Sequence, residues 1–408
     1  GRQRLPREMR MNVVTPQDFS SEADWSSARA GVDLATTKPG MPGGIFMRQF
    51  WVAVHRSQDI AKGEARPIRI MSENFTIYRG HSGAVHIVDA HCPHRFALMH
   101  LGWVEGDDIR CVYHGWKYDG TGQCIEQPAE DSSFARKVKI RSIPARDYLG
   151  LVFAYFGDGE PPAFPPFPCK QGNAVLDVWA AEQVPCNWLQ SYENSMDEVH
   201  VAFTHAPGGS HASLAVDLPK VSAEEAPWGM LRHGVRRDGK IRVSLHYAPN
   251  ITRVLVPPRT GMDGVGGWRE IYFSFTPIDD ENHLWLLSGH VDIEPGSAAA
   301  EEYARKQADY DRMVATAKPA IEVARDLIAG IGRFEDTRHP NLAVVQDVAT
   351  QAGQGRMVRR DGERLGRSDI AIIQWRKILA RELRAITEGK PRKQWTTAPA
   401  DIVPTLGF

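Results

Sequence analysis

From Phe46 to about Gly159 the chain runs in short apolar or alternating stretches, FWVAV, IRIM, FTIYRG, VHIVDA, DDIRCVY, YDGTGQC and YLGLVFAYF, separated by turn residues. Such runs at close spacing predict many short strands and an antiparallel β unit. Pro161-Pro162 and Phe164-Pro-Pro-Phe-Pro168 follow, which can continue neither a helix nor a central strand and therefore mark a linker. Beyond it the period changes. Residues 186–206, 298–331 and 369–388 read as helices, and 240–292 as long strands with a hairpin in WREIYFSFTPIDDENHLWLLSGHV. The last helix has Ser368 or Asp369 as N-cap, apolar residues at Ile370, Ile373, Ile378 and Leu379, and Gly389 and Pro391 after its end. The second half is expected to be α+β, a sheet with helices packed on it. Residues 1–44 are polar and end in Lys38-Pro-Gly-Met-Pro-Gly-Gly44, a punctuated lead into the first compact unit.

A chain of 408 residues is long enough for two domains. Its 49 Lys+Arg nearly balance 50 Asp+Glu, so no large field favours nucleic acid or an anionic membrane. The strongest apolar run, Tyr148 to Phe156, falls far short of the roughly 20 residues a membrane helix needs. The basic N-terminus has no apolar core of a secretory signal. Five irregularly spaced cysteines, Cys92, Cys111, Cys124, Cys169 and Cys186, argue for reduced thiols in a cytoplasmic protein.

Reduced thiols can hold metal. Cys92-Pro-His94 is followed, after sixteen residues, by Cys111-Val-Tyr-His114, each pair in a turn between predicted strands. Two thiolates and two imidazoles could bind zinc, but a one-residue Cys-x-His gap is unusual for zinc, and iron–sulfur chemistry is the favoured reading. C-P-H-R and C-V-Y-H-G-W-K-Y-D-G-T-G resemble the Rieske [2Fe–2S] signature. That resemblance implies Cys92 and Cys111 on one iron and His94 and His114 on the other, a centre that relays single electrons. His91 and His100 lie outside the motif. Tyr113 stands where respiratory Rieske proteins carry an extra cysteine, which points to the oxygenase branch.

A second constellation, Asn194-Ser-Met-Asp197-Glu-Val-His200-Val-Ala-Phe-Thr-His205, places an acid and two histidines within nine positions. Asp197 and His200 are three apart and share a helix face. His200 and His205 are five apart, about 140° around a helix, so both can face one metal only if the helix loosens or ends between them. Ala206-Pro-Gly-Gly209 supplies such an ending. The pattern N-x2-D-x2-H-x4-H resembles the mononuclear-iron motif of Rieske non-heme iron oxygenases. In that family two histidines and a carboxylate hold Fe(II) and leave positions open for O2. His200 and His205 are then ligands, Asp197 the carboxylate bridging the two centres by accepting from a Rieske histidine and from His200, and Asn194 a residue lining the iron site. The block Gln346-Asp347-Val-Ala-Thr-Gln351, followed by Gly362 to Asp369, is similar to the C-terminal block of the phthalate-dioxygenase-like branch and implies Asp347 as the third ligand, with Glu335 and Asp336 as rivals. Ala352 stands where that branch often has Glu.

The resemblance covers roughly residues 40–390. It implies an N-terminal segment at 1–44 packing on the catalytic part, an all-β Rieske domain at 45–160, and a catalytic mononuclear-iron domain at 161–408 built as a large antiparallel sheet covered by helices, a helix-grip or START-like α+β fold. It further implies a terminal oxygenase using O2, assembled as an α3 homotrimer in which one chain's Rieske domain faces its neighbour's mononuclear iron. Since no Gly-rich dinucleotide fingerprint is present, NAD(P)H would act only through a separate flavin and iron–sulfur reductase. The substrate is expected to be a small aromatic, by branch resemblance an aromatic carboxylate, in a pocket lined from around Phe203 and the 240–292 strands. Arg253 is the candidate carboxylate partner, although alternation favours an outward-facing strand arginine. Oxidative O- or N-demethylation uses the same site. Readings from other classes are an electron-transfer-only Rieske protein and a zinc-stabilised binding protein.

Overall fold

The computed structural model describes residues 13–14, 31–165, 175–179, 182–206, 217–258, 262 and 264–406. Most of 1–44, Cys169 and residues 207–209 lie outside the described residues.

The short apolar runs of the front half form three antiparallel sheets. One orders Ser142–Ile143, Val85–Asp89, Glu73–Arg79 and Ala65–Ile70; a second Ala145–Tyr148, Leu151–Tyr155 and Trp51–Arg56; a third Trp103–Glu105, Asp108–Arg110, Lys117–Tyr118 and Cys124–Glu126. The cysteine–histidine loops leave the ends of Val85–Asp89 and Asp108–Arg110.

The back half is built on a ten-stranded antiparallel sheet. Its central run is Lys220–Ala226, Gly229–Val235, Ile241–Tyr247, Ile251–Val256, Arg269–Pro277 and His283–Val291, and the last two are the anticipated hairpin. Alternation along these strands feeds two cores. Met230, Val254, Ile271, Phe275 and Leu287 pack toward the helices, while Leu231, Leu245, Ile251, Tyr272 and Leu286 pack toward Trp51, Leu151 and Phe153 of the front half. The first of these cores runs without a break from Val52 and Phe75 to Phe275 and Trp375. A two-residue turn clamps the halves together: Met71 and Ser72 both have positive φ (48° and 67°), and their N–H groups donate to Pro277 O and Ile278 O at 2.8 Å. Left-handed backbone at two residues with side chains is costly and persists where such tertiary bonds over-determine it.

Two predicted helices are interrupted. Residues 298–331 form Ala298–Thr316 and Ala320–Ile328, divided before Pro319, whose ring fixes φ and which has no N–H to donate. Residues 186–206 form Trp188–Met196 and His200–Thr204, so Asp197 and His200 do not share a face of one continuous helix. The final helix, Ile370–Thr387, follows Asp369 as expected, but the Asp369 carboxylate accepts from Gly366 N instead of capping the helix.

The Trp188–Met196 helix is fixed at both ends. Asn187 caps it, accepting from Leu189 N at 3.1 Å, and its amide donates to Ala35 O and Asp280 O. Near its C-terminus Glu193 receives Arg376 bidentately at 2.6 and 2.7 Å, both side chains being buried. Burial would raise the Glu193 carboxyl, but Arg376 and Arg360 outweigh it and hold it below the ordinary glutamate range.

Removing one partner of a buried pair leaves the other charge uncompensated, so Arg376→Met should cost about 3–5 kcal/mol in urea unfolding. Because the Glu193 carboxyl is depressed, the pair's contribution is complete above the normal glutamate range and fades as pH falls through the lowered folded value. The substituted protein should show less of this acid loss.

Candidate metal centres

Each cysteine–histidine loop closes in the same way. Cys92 N donates to Ala97 O at 2.9 Å and Phe96 N donates to Cys92 O at 2.8 Å; Cys111 N donates to Trp116 O at 2.8 Å and Gly115 N donates to Cys111 O at 3.1 Å. The turning residues, Phe96 and Gly115, both have positive φ, 59° and 73°. Glycine accepts this freely, whereas Phe96 does so at about 1–2 kcal/mol. Two matched loops thereby face each other. Both thiols are buried, and the His94 and His114 rings lie 4.3 Å apart on the outer side, His94 stacked on Trp116 at 4.5 Å. His94 Nδ1 is buried with no hydrogen-bond partner among the described residues, as a ring nitrogen reserved for a metal would be. Cys92 Sγ lies 3.3 Å from Tyr118 Oη, a hydroxyl able to donate to a thiolate. Burial, then that neighbouring thiol, push the Tyr118 phenol well above its ordinary range, so it remains a donor. The four described cysteines, Cys92, Cys111, Cys124 and Cys186, are free thiols.

The second centre depends on the interruption at Asp197–Val199. Asp197 Oδ1 accepts from Val199 N at 2.7 Å and His200 N at 3.2 Å, satisfying the first free N–H groups of a new helix and redirecting the chain. That helix ends at His205. His200 opens this short helix and His205 closes it, with ψ relaxed to -1° at His205, so the departure from regular helix lies at the second histidine. His200, His205 and Asp347, the last from the helix Leu342–Gly353, have all donor atoms within 4.8 Å of one another. His200 Nε2 and His205 Nε2 are 3.7 and 3.5 Å from Asp347 Oδ1.

The histidine tautomers follow from their partners. His200 Nδ1–H donates to Asp197 O at 2.7 Å and His205 Nδ1–H to Gln346 Oε1 at 3.0 Å, which turns both Nε2 atoms inward. Two imidazole lone pairs and a carboxylate then converge, a donor set suited to a cation. Burial works against a charged His205, yet the Asp347 carboxylate overrides it and raises this imidazole; at His200 burial prevails and the ring is lowered. Asn194 Nδ2 donates to Asp347 Oδ1 at 3.1 Å and steadies the carboxylate.

A small cavity over the triad is lined by Asn194, Asp197, His200, His205, Thr252 and Phe275, among others. It shares Val256, Phe273, Trp285 and Asp347 with a larger cavity of about 520 Å³ whose walls include Trp179, Leu287, Tyr310 and Met313. Arg269, stacked 5.0 Å from the Trp179 ring, and Arg338 bring positive charge to it.

Several expectations are corrected. Phe203 is 65 % exposed and lines neither cavity, because the interruption turns it outward. Arg253 is 1 % exposed, neither solvated nor in the cavity: it pairs with Glu270 at 2.7 Å and donates to Ile402 O, since the C-terminal segment covers that sheet face. His200 bonds to the backbone oxygen of Asp197, while the Asp197 carboxylate is 4.0 Å from His200 Nδ1. Glu335 and Asp336 pair with Arg333 on the surface, away from the triad. The sequence reading assigned no role to Tyr118, Gln346, or the buried Glu198 with Arg232 and Arg242. Tyr118 follows Trp116 by two and, like it, is buried, a spacing the sequence displays; nothing in the sequence marks Glu198 as buried.

Residues 50–144 match the Rieske [2Fe-2S] domain family. Over 396 residues the chain is 30 % identical to the 5,5'-dehydrodivanillate O-demethylase oxygenase subunit of Sphingobium sp. (strain NBRC 103272 / SYK-6), covering 92 % of this chain and 84 % of that one. It is 26 % identical to the phthalate 4,5-dioxygenase oxygenase subunit of Pseudomonas putida, covering 88 % and 86 %. Its fold is shared with the oxygenase in an oxygenase–ferredoxin complex of carbazole 1,9a-dioxygenase, with a TM-score of 0.59, 17 % identity, and 91 % and 99 % of the two chains covered. With full-length similarity of this kind and the two donor sets in place, the chain belongs to the oxygenase subunits of the Rieske non-heme iron oxygenases.

Proposed function

We propose that the chain oxidises an aromatic carboxylate, with Cys92, Cys111, His94 and His114 holding the [2Fe–2S] cluster and His200, His205 and Asp347 holding Fe(II). The carrying observation is that the triad shares Asp347 with an aromatic-walled cavity of about 520 Å³, a size suited to a small aromatic molecule. In this reading residues 1–44 pack on the catalytic part, 45–160 carry the cluster and 161–408 the mononuclear site, within a cytoplasmic protein. Among the described residues no helix is long and apolar enough to cross a membrane.

When bound, the two iron groups supply single-electron transfer and O2 activation. The chain's own residues set the conditions. Gln346 and the Asp197 carbonyl accept from the Nδ1–H of the two imidazoles and so turn each Nε2 inward, and Asn194 holds one Asp347 oxygen. Trp179, Phe273 and Trp285 orient an aromatic ring and exclude water, and Arg269 and Arg338 favour an anionic substituent. The His94–His114 edge carries exposed Phe96, Val112 and Tyr113, an apolar rim suited to a protein partner. We assign it to the neighbouring subunit of an α3 ring, where Asp197 bridges the centres, and to a separate electron-transfer protein that relays reducing equivalents from an NAD(P)H-dependent flavin and iron–sulfur reductase. The similarity to a demethylase oxygenase subunit favours a second reading, O-demethylation of a methoxylated aromatic acid.

Oxygen uptake with a reductase and a panel of aromatic acids, read by product mass, tests the proposal: a diol or phenol supports hydroxylation, formaldehyde with a shortened acid supports demethylation, and no substrate-dependent uptake refutes both. His205→Ala should lose one iron per chain and turnover while keeping the iron–sulfur absorption. Asp197→Ala should keep all iron yet lose coupled turnover, and near-normal activity would remove its bridging role. Tyr118→Phe removes a hydrogen bond that stabilises the electron-rich sulfur, so the cluster potential should fall by on the order of 60 mV, the equivalent of a tenfold one-electron equilibrium shift.

A further inference from the structure

Asp197 and Glu198 are adjacent carboxylates pointing in opposite directions. The Asp197 side chain is 26 % exposed, that of Glu198 1 %. Glu198 enters the sheet beneath the turn that carries the ligand histidine. Its Oε2 accepts from Arg232 Nη1 and, at 2.9 Å, from Arg242 Nη1, while Arg236 Nη2 stands 3.5 Å from Oε1. The two principal arginines come from neighbouring strands whose register pairs Arg232 with Ser244 and Gly234 with Arg242, which sets them diagonally on one face. Each has a second anchor: Arg232 Nη2 donates to Ser244 Oγ and Arg242 Nη2 to Leu255 O at 2.9 Å. Bare backbone at Gly234 leaves the seat open, since a Cβ there would stand 3.3 Å from Glu198 Cγ. One buried carboxylate thus lies among three guanidinium groups.

A buried ion triad is a weak source of stability compared with apolar packing, so its use here calls for another reason. The turn supplies one. His200 N bonds to Asp197 Oδ1 and His200 Nδ1 to Asp197 O, so the position of this turn fixes the ring whose Nε2 faces Asp347. Arg232 and Arg242 also line the cavity over the triad. We propose that Glu198 is a positioning residue: clamped by Arg232 and Arg242, it fastens the Asp197–His200 turn to the sheet and sets the distance from His200 to His205 and Asp347. This rests on the reading of those three residues as iron ligands.

The test uses reconstituted holoenzyme with Glu198→Gln, which keeps shape and loses charge, and Glu198→Asp, which keeps charge and loses reach. Glu198→Gln should surrender its mononuclear iron to a chelator about 10–100-fold faster than the unaltered protein, with Glu198→Asp in between. The paramagnetic signal of the nitric oxide adduct at that iron should change in rhombicity while the iron–sulfur absorption stays the same. Should Glu198→Gln fail to fold, Arg242→Met leaves a balanced Arg232–Glu198 pair and should fold while still losing iron faster. Unaltered iron retention and nitrosyl signal in a folded Glu198→Gln protein, or in Arg242→Met where that one does not fold, overturn the proposal alone. An unaltered protein that holds only the two irons of its cluster and gives no nitrosyl signal overturns the ligand reading, and the proposal with it.

Discussion

Two imidazoles and a carboxylate from distant parts of the chain must be held with their donor atoms within 4.8 Å of one another, and much of the back half is arranged around that constraint. A free chain would separate two imidazole lone pairs and a carboxylate. Here they are forced together by two helices distant in sequence, one interrupted at Asp197–Val199 and the other carrying Asp347 on a face buried by Val344, Val345 and Val348. Donors that converge in this way suit a cation, because folding has already met the entropic cost of bringing them together.

Holding such a site demands rigid supports on every side. Arg376–Glu193 fixes the helix before the interruption to the last helix of the chain, and Arg232 and Arg242 receive Glu198 at the interruption itself. Gln346 and Asn194 fix the orientation of one ring and of the carboxylate. These contacts are polar and directional, so they specify angles that apolar packing alone would leave loose.

The donors were legible in the sequence because chemistry dictates their spacing: two Cys-His pairs, an Asp and two His, and a Gln-Asp step. The architecture was legible because strand and helix periods differ so clearly across the proline-rich linker. What sequence could not show was direction. Helical geometry demanded that the helix loosen or end between His200 and His205, and it ends at His205; the further break ahead of His200 follows from Asp197 accepting from Val199 N and His200 N, which no spacing announced. Arg253 obeyed alternation, but the face it was assigned to is covered by residues around Ile402, about 150 positions later. Burial of Glu198 is a property of the strands beneath it, and no local pattern encodes it.

The two centres divide what can vary from what cannot. At the Cys-His loops, Tyr118 of one small sheet reaches Cys92 in the loop after Val85–Asp89, and neither residue lines the cavities beside the triad. The triad residues and their supports occupy the helices and the inner sheet face, whereas the walls of the larger cavity include strand residues such as Phe273, Trp285 and Leu287 and the segment 338–344. Apart from Asp347, which belongs to both, a change in those walls alters which ring fits the cavity and leaves His200 and His205 in place. A demethylase oxygenase subunit and a dioxygenase oxygenase subunit are both similar to this chain, at 30 % and 26 % identity, so overall similarity does not separate the two reactions and the cavity walls must.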